Sequence, residues 1–215
     1  AMVAASPSIL GLSEGSIRGV CDFLERHVFA GDVARARGVL QTRPQALGLS
    51  VDRVLRPRLA WLADALFEPP RRRRAADDDR SDGLDRIADL VAKYPPVLGL
   101  RVEGNLRPKL ELLREYARRS LGRGAASPRD GDDDDEDLER RVQAAVAEVV
   151  STCPALLGYS LERRLQPRLH EIADVHGLPF RSVSTLLRLS DAAFERRVVA
   201  LAEEGGQQPS RREGP

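Results

Sequence analysis

Three times along this chain a proline is followed by a leucine three residues later, a glycine four later and a second proline thirteen later. The copies run from Pro44 through Leu47, Gly48 and Pro57, from Pro95 through Leu98, Gly99 and Pro108, and from Pro154 through Leu157, Gly158 and Pro167. No gap is needed to align them. A weaker copy opens at Pro7, with Ile9, Leu10, Gly11 and Leu12, but lacks the second proline. A fixed internal spacing of this kind marks a repeat architecture, in which each unit buries its apolar face only against its neighbours.

The residues inside each unit read as helices. Apolar residues make up 42% of the chain but aromatic ones only 4%, so the core must be built of Leu, Val and Ala, which suits packed helices better than a β-sandwich. Ile17, Val20, Phe23, Leu24 and Val28 recur at helical spacing from about Ser16. Asp32 can cap a helix over 33–41, and Ser50 one that runs on through Trp61 to about Phe67. Pro-x-x-Leu-Gly between them predicts a short 3₁₀ turn, with Gly48, Gly99 and Gly158 permitting it and Leu47, Leu98 and Leu157 packing between units. Two readings of Pro57, Pro108 and Pro167 are open. Each bends a long helix from its interior, at a cost of about 3 kcal/mol, or each starts a separate helix at its first turn. The expected fold class is all-α, a single solenoid over 1–204, with repeats starting near Pro7, Pro44, Pro95 and Pro154.

Those starts are 37, 51 and 59 residues apart. The excess over the first period is about the length of two charged stretches, 69–83 and 122–137, each placed after a long helix. Their low complexity predicts disordered inserts, and 205–215 reads as a disordered tail. Residues 122–137 carry −5 and residues 69–83 carry +1, so the rest of the chain holds +5 of the formal net charge of +1. Set apart from its inserts, the repeat body is mildly basic, which permits a polyanionic partner.

The pattern P-x-x-L-G-[LY]-x-[VL]-x-x-x-L-x-P-[RK]-L resembles the mitochondrial transcription termination factor (mTERF) family of plants, algae and animals. The tail Leu187-Arg188-Leu189-Ser190-Asp191-Ala192-Ala193-Phe194 is similar to the closing Leu-x-x-Ser-Asp-x-x-Phe stretch of plant-type members, with a capping helix over 195–201. The likeness covers nearly the whole chain, from Pro7 to about Leu201. It implies a right- or left-handed superhelix of short helical repeats that binds duplex DNA or structured RNA in a chloroplast or mitochondrion. Transcription termination or regulation and RNA maturation are the roles it implies, in company with other organellar gene-expression proteins. No targeting leader is read before the first copy, so compartment rests on the resemblance alone.

Overlaying the copies gives columns of charge. The residue after the second proline is Arg58, Lys109 and Arg168. Two positions before it stand Arg56, Arg107 and Gln166, and five before it Arg53, Gly104 and Arg163. Stacked units would turn the first column into a basic stripe along a concave face, suited to tracking phosphates. The plainer reading is that these cations solubilise helix faces beside Asp52, Glu103 and Glu162. Trp61 and Tyr159 read as core residues, and Tyr94 and Tyr159 as single aromatics at unit seams. Cys21 and Cys153 occupy different positions in their units and read as reduced, buried thiols. Asp132 to Asp137 lack the spacing of a calcium loop. His27, His170 and His176 have no nucleophile at a recognisable distance, and no phosphate-cradling loop is present, so no enzyme, cofactor or metal is expected. No stretch is long and apolar enough for a membrane span. A monomer is expected, and the alternative function is a helical-repeat protein–protein scaffold that does not bind nucleic acid.

Overall fold

The computed structural model describes residues 7–67, 82–122 and 132–206, and these are helical, with no strand among them. The helices are α1 (Glu14–Asp22), α2 (Val33–Thr42), α3 (Arg56–Leu66), α4 (Asp82–Lys93), α5 (Arg107–Gly122), α6 (Asp132–Thr152), α7 (Gln166–His170), α8 (Val183–Leu186) and α9 (Asp191–Gly206). Each copy of the motif folds the same way. A five-residue 3₁₀ turn spans Pro7–Gly11, Pro44–Gly48, Pro95–Gly99 and Pro154–Gly158. In the last three copies a π-helical turn follows, Val51–Leu55, Val102–Leu106 and Leu161–Leu165, and runs directly into α3, α5 and α7.

The π turn answers the question of the prolines. Leu55 N–H bonds the Ser50 carbonyl at 3.0 Å, Leu106 N–H bonds Arg101 at 3.0 Å, and Leu165 N–H bonds Ser160 at 2.9 Å, all five residues back. A proline in a regular helix clashes with the carbonyl four residues before it and leaves that carbonyl without a donor. Widening the preceding turn by one residue relieves the clash, and Pro57, Pro108 and Pro167 then sit in the first turn of α3, α5 and α7. Both readings of the sequence hold a part: the helix continues through the proline, and its α register begins there. Ser50 accepts from Arg53 N–H at 3.2 Å and Asp32 from Arg35 N–H at 3.0 Å, both capping as expected, and Ser160 accepts from Arg163 N–H at 3.2 Å in the same way. Arg101 takes the serine's place in the middle copy and makes no side-chain cap.

The units stack through their leading helices, α2 on α4 and α4 on α6, with α5 lying along α6 and α3 also reaching α6. Three leucine columns form the shared core. Leu47, Leu98 and Leu157 are buried, as are Leu55, Leu106 and Leu165 just before the second proline, and Leu59, Leu110 and Leu169 just after it. Removing one such side chain from water is worth roughly 1.5–3 kcal/mol. Cys153 is buried, Cys21 half-buried, and both are free thiols. Burial raises the pKa of each.

Three expectations are revised. Residues 132–137, expected to be disordered, form the first turns of α6. An acidic run stabilises a helix N-terminus by opposing the positive end of its dipole, and Asp137 pairs with Arg140 at 3.5 Å one turn along. Asp82 and Gly83 likewise open α4, and Gly122 closes α5, so what remains of the two inserts lies outside the described residues. At the other end Gly205 and Gly206 still belong to α9; the rest of the expected tail also lies outside them.

The repeat glycines are the third revision. None of Gly48, Gly99 and Gly158 has the positive φ that would require glycine. Close approach is the reason instead. A Cβ on Gly158 would fall on the Tyr94 hydroxyl and 3.0 Å from its Cζ, and one on Gly99 would lie 3.3 Å from Arg43 Nη2. Arg43 and Tyr94 are the residues just before Pro44 and Pro95, so each seam is closed by a long side chain laid over the glycine of the next unit. Tyr94 is a stiff ring and Arg43 a flexible chain. Gly158→Ala should therefore lose about 1–3 kcal/mol by overpacking, while Gly99→Ala should stay within about 1 kcal/mol of the parent because Arg43 can swing aside. Urea unfolding of the two variants, with Tyr94→Ala added to the first to restore it, checks the contrast.

Candidate nucleic-acid interface

The π turn and the proline together aim the next side chain inward. That side chain is Arg58, Lys109 or Arg168, the stripe expected to face a groove. Lys109 is 2% exposed and Arg168 5%, while Arg58 is half-buried. Each charged end donates to backbone of the unit that follows. Arg58 Nη1 donates to the Leu98 carbonyl. Lys109 Nζ donates to the Leu157 carbonyl at 2.5 Å and to Asn105 Oδ1 at 2.8 Å. Arg168 Nη1 donates to the carbonyls of Leu189 at 2.8 Å and Leu187 at 3.2 Å, and its Nη2 pairs with the Asp191 carboxylate.

The acceptors form a pattern of their own. Leu98 and Leu157 are the leucines of the next unit's Pro-x-x-Leu-Gly turn. Within that turn Leu100 N–H takes the Val97 carbonyl at 3.1 Å and Tyr159 N–H takes the Leu156 carbonyl at 3.0 Å. The following carbonyl, at the turn's open end, takes the cation. Leu187 completes the series: Leu189 N–H takes the Leu186 carbonyl at 3.2 Å, as Tyr159 takes Leu156. Leu186-Leu187-Arg188-Leu189-Ser190 is thus a fifth, degenerate copy of the turn with arginine in the glycine's place. The residue ahead of it in the seam series is Cys153, far smaller than Arg43 or Tyr94, and the Arg188 charge acts on its thiol. A small residue faces the large one here, where large faced glycine before.

The expected presentation of Arg58, Lys109 and Arg168 to a phosphate backbone is therefore corrected. They bind successive units to one another, because a buried cation must be hydrogen-bonded and the turn's carbonyl supplies the acceptor. Burial lowers the pKa of Lys109 and of Arg58.

Arg56 and Arg107 cover aromatic rings of the preceding unit. Arg56 lies over Phe23 at 5.1 Å with Asp52 at 3.6 Å, and Arg107 lies over Trp61 at 5.2 Å with two hydrogen bonds to Glu103 at 2.7 and 2.8 Å. Trp61 and Tyr159 are half-buried, each packed on the core with an arginine on its face; for Tyr159 that arginine is Arg164, at 4.1 Å. Arg53 and Arg163 remain. Both are exposed, at the middle of their π turns, and no carboxylate of the described residues pairs with them. Arg101, which the columns missed because serine stands there in the other copies, is exposed and unpaired in the same sense.

A second polar cluster ties α5 to the π turn Glu171–Val175. Asp174 accepts from Tyr116 Oη at 3.1 Å, lies 2.9 Å from His170 Nδ1 and 3.6 Å from Arg119 Nη1. The His170 hydrogen bond, then those of Tyr116 and the Arg119 charge, hold its carboxyl below the ordinary aspartate value. Among the described residues no group of His, Cys, Asp and Glu is arranged to hold a metal ion, and no helix is long and apolar enough to cross a membrane. Compared with known proteins, the chain matches no family model, no curated protein and no solved structure.

Lys109→Met should destabilise the protein by about 1–3 kcal/mol, since the Leu157 carbonyl and Asn105 lose a buried partner; Lys109→Arg should recover part of it. Denaturant unfolding reads both. Asp174 has a depressed folded pKa, so its contribution is complete above the unfolded value and is lost as pH falls through the folded one. Asp174→Asn should lower Tm near neutral pH and leave it unchanged in strong acid, where the parent's carboxyl is already protonated.

Proposed function

We propose that this chain is an mTERF-type helical solenoid that binds duplex DNA or structured RNA without catalysis and regulates organellar gene expression. The contact surface in this reading is not the column first singled out. It is the row of exposed arginines Arg53, Arg101 and Arg163, the first and last within their π turns and Arg101 immediately before the middle one. Their freedom from carboxylate partners among the described residues is the observation that carries the proposal. Arg56 and Arg107 flank the row, but each is already engaged by a carboxylate and a ring. Cations placed once per unit meet phosphates at intervals and confer affinity without base readout. Compartment, chloroplast or mitochondrion, comes with the resemblance.

The scaffold reading has its own support, since the column that recurs most faithfully is occupied inside the protein. Leu10, Val33, Val175 and Val199, large apolar residues that are exposed, belong to four different elements. A titration against duplex DNA and duplex RNA decides between the two. Three phosphate contacts predict a loss of about 40-fold in affinity between roughly 50 and 200 mM salt. Arg53→Ala/Arg101→Ala/Arg163→Ala should abolish that salt dependence and leave Tm near the parent's. Failure to bind at low salt would favour the scaffold.

A further inference from the structure

Every seam after the first is fastened by a cation fourteen residues past the unit's opening proline. Arg58, Lys109 and Arg168 hold that position, and each donates to the turn of the unit that follows. In the first unit the same position is Cys21. It lies on α1, and α1 packs on the turn Pro44–Gly48, so the helix that carries it still meets the next unit while the cation is lost. A thiol is a weak donor with no charge. No side chain of the described residues donates to the Leu47 carbonyl, the counterpart of Leu98 and Leu157.

Two further features set this seam apart. The glycine of the second turn is met only loosely, with Leu12 Cδ2 at 3.9 Å from a Cβ at Gly48, against the tight approaches at Gly99 and Gly158. The corner joining the first unit to α2 runs through left-handed backbone at Ala30 (φ 53°) and Gly31 (φ 88°), a conformation that a residue with a Cβ rarely adopts.

We infer that the seam between the first and second units is the joint of the molecule: residues 7–31 open and close against the stack as one element, while the units behind it move together. Apolar packing of Val20, Leu24 and Val28 holds the joint shut most of the time. The missing bond is the one directional contact that would fix its angle, and a joint of this kind lets the first unit follow the shape of whatever the rest of the stack is bound to. The inference concerns the fold alone and stands whichever partner the protein has.

Native-state hydrogen exchange of the full chain, followed by mass spectrometry at low denaturant, tests it. The last unit, 183–201, is the control: it is also terminal among the described units, but Arg168 fastens it. Amides of 14–28 should open about tenfold or more often than those of 183–201 and of α4, as a separate cooperative unit. Cys21→Arg, which supplies a donor to the Leu47 carbonyl, should slow exchange of 14–28 towards that of the last unit. Arg168→Met should do the reverse, bringing 183–201 to the rate of 14–28. If the wild-type first unit exchanges together with α4, or no faster than the last unit, the joint does not exist. A folded Cys21→Arg protein with unchanged exchange at 14–28 would equally overturn it. Should that variant fail to fold, the wild-type comparison and Arg168→Met decide alone.

Discussion

The stack depends on a cation donating to a backbone carbonyl across the boundary between two units. Removing an ammonium or guanidinium from water is costly, and a lone buried charge would be expelled or neutralised. Here the cost is offset because the acceptor is itself a group that burial would leave unsatisfied, the leucine carbonyl near the end of a short 3₁₀ turn. Each partner needs the other, which makes the contact specific as well as favourable. A slipped register would strand both a charge and a carbonyl in the interior, so Lys109 against Leu157 fixes which turn meets which helix. Leucine packing alone, being non-directional, would not do this.

The proline is what brings the cation to that place. With no N–H and a ring that crowds the carbonyl four residues back, Pro57, Pro108 and Pro167 would each break an ordinary helix. The π turn ahead of each accommodates it, and the changed register rotates the next residue from the solvent face towards the neighbour. Sequence spacing and inter-unit bonding are thus one device. The proline thirteen residues after the first is there for the residue at fourteen. The first copy shows the dependence from the other side. It lacks the second proline, the cation and the π turn ahead of them together: Glu14–Asp22 is α-helical there, and its own π turn, Phe23–Val28, comes only after position 21.

Much of this was legible in the amino acids, and what was not has a common cause. The repeat, the 3₁₀ turns, the caps at Asp32 and Ser50, and the buried leucine columns all follow from local periodicity and turn chemistry. Local sequence also named the column Arg58, Lys109 and Arg168. It could not say which way the column faced, because direction is set by one residue of helical widening that no propensity records. The glycines misled for the same reason: their role lies in Tyr94 and Arg43, about sixty residues away in sequence, and not in their own backbone angles. Residues 132–137 were misread from composition, which treats a run of aspartates as a solvated coil. At a helix start the same run is favourable. A signal for Arg101 existed in the exposed position opposite Ser50 and Ser160, but a column read only for recurring charge passes over it.

A charged column in a repeat protein therefore has two meanings, and stacking geometry separates them. A ligand-facing column needs only to be exposed at intervals, and its residue is free to drift between units, as Arg53, Gly104 and Arg163 do. A column that fastens units must find an acceptor every time, so it keeps its charge type without fail until a seam is left free. The basic excess of the repeat body is smaller at the surface than the sequence implies, since Arg58, Lys109 and Arg168 contribute to it from inside. Any polyanion must then be met by fewer and more widely spaced arginines, on a stack whose later units are held rigid by the cations that were withdrawn. Rigidity in the body and freedom at the first seam come from the same column, present three times and replaced by Cys21 once.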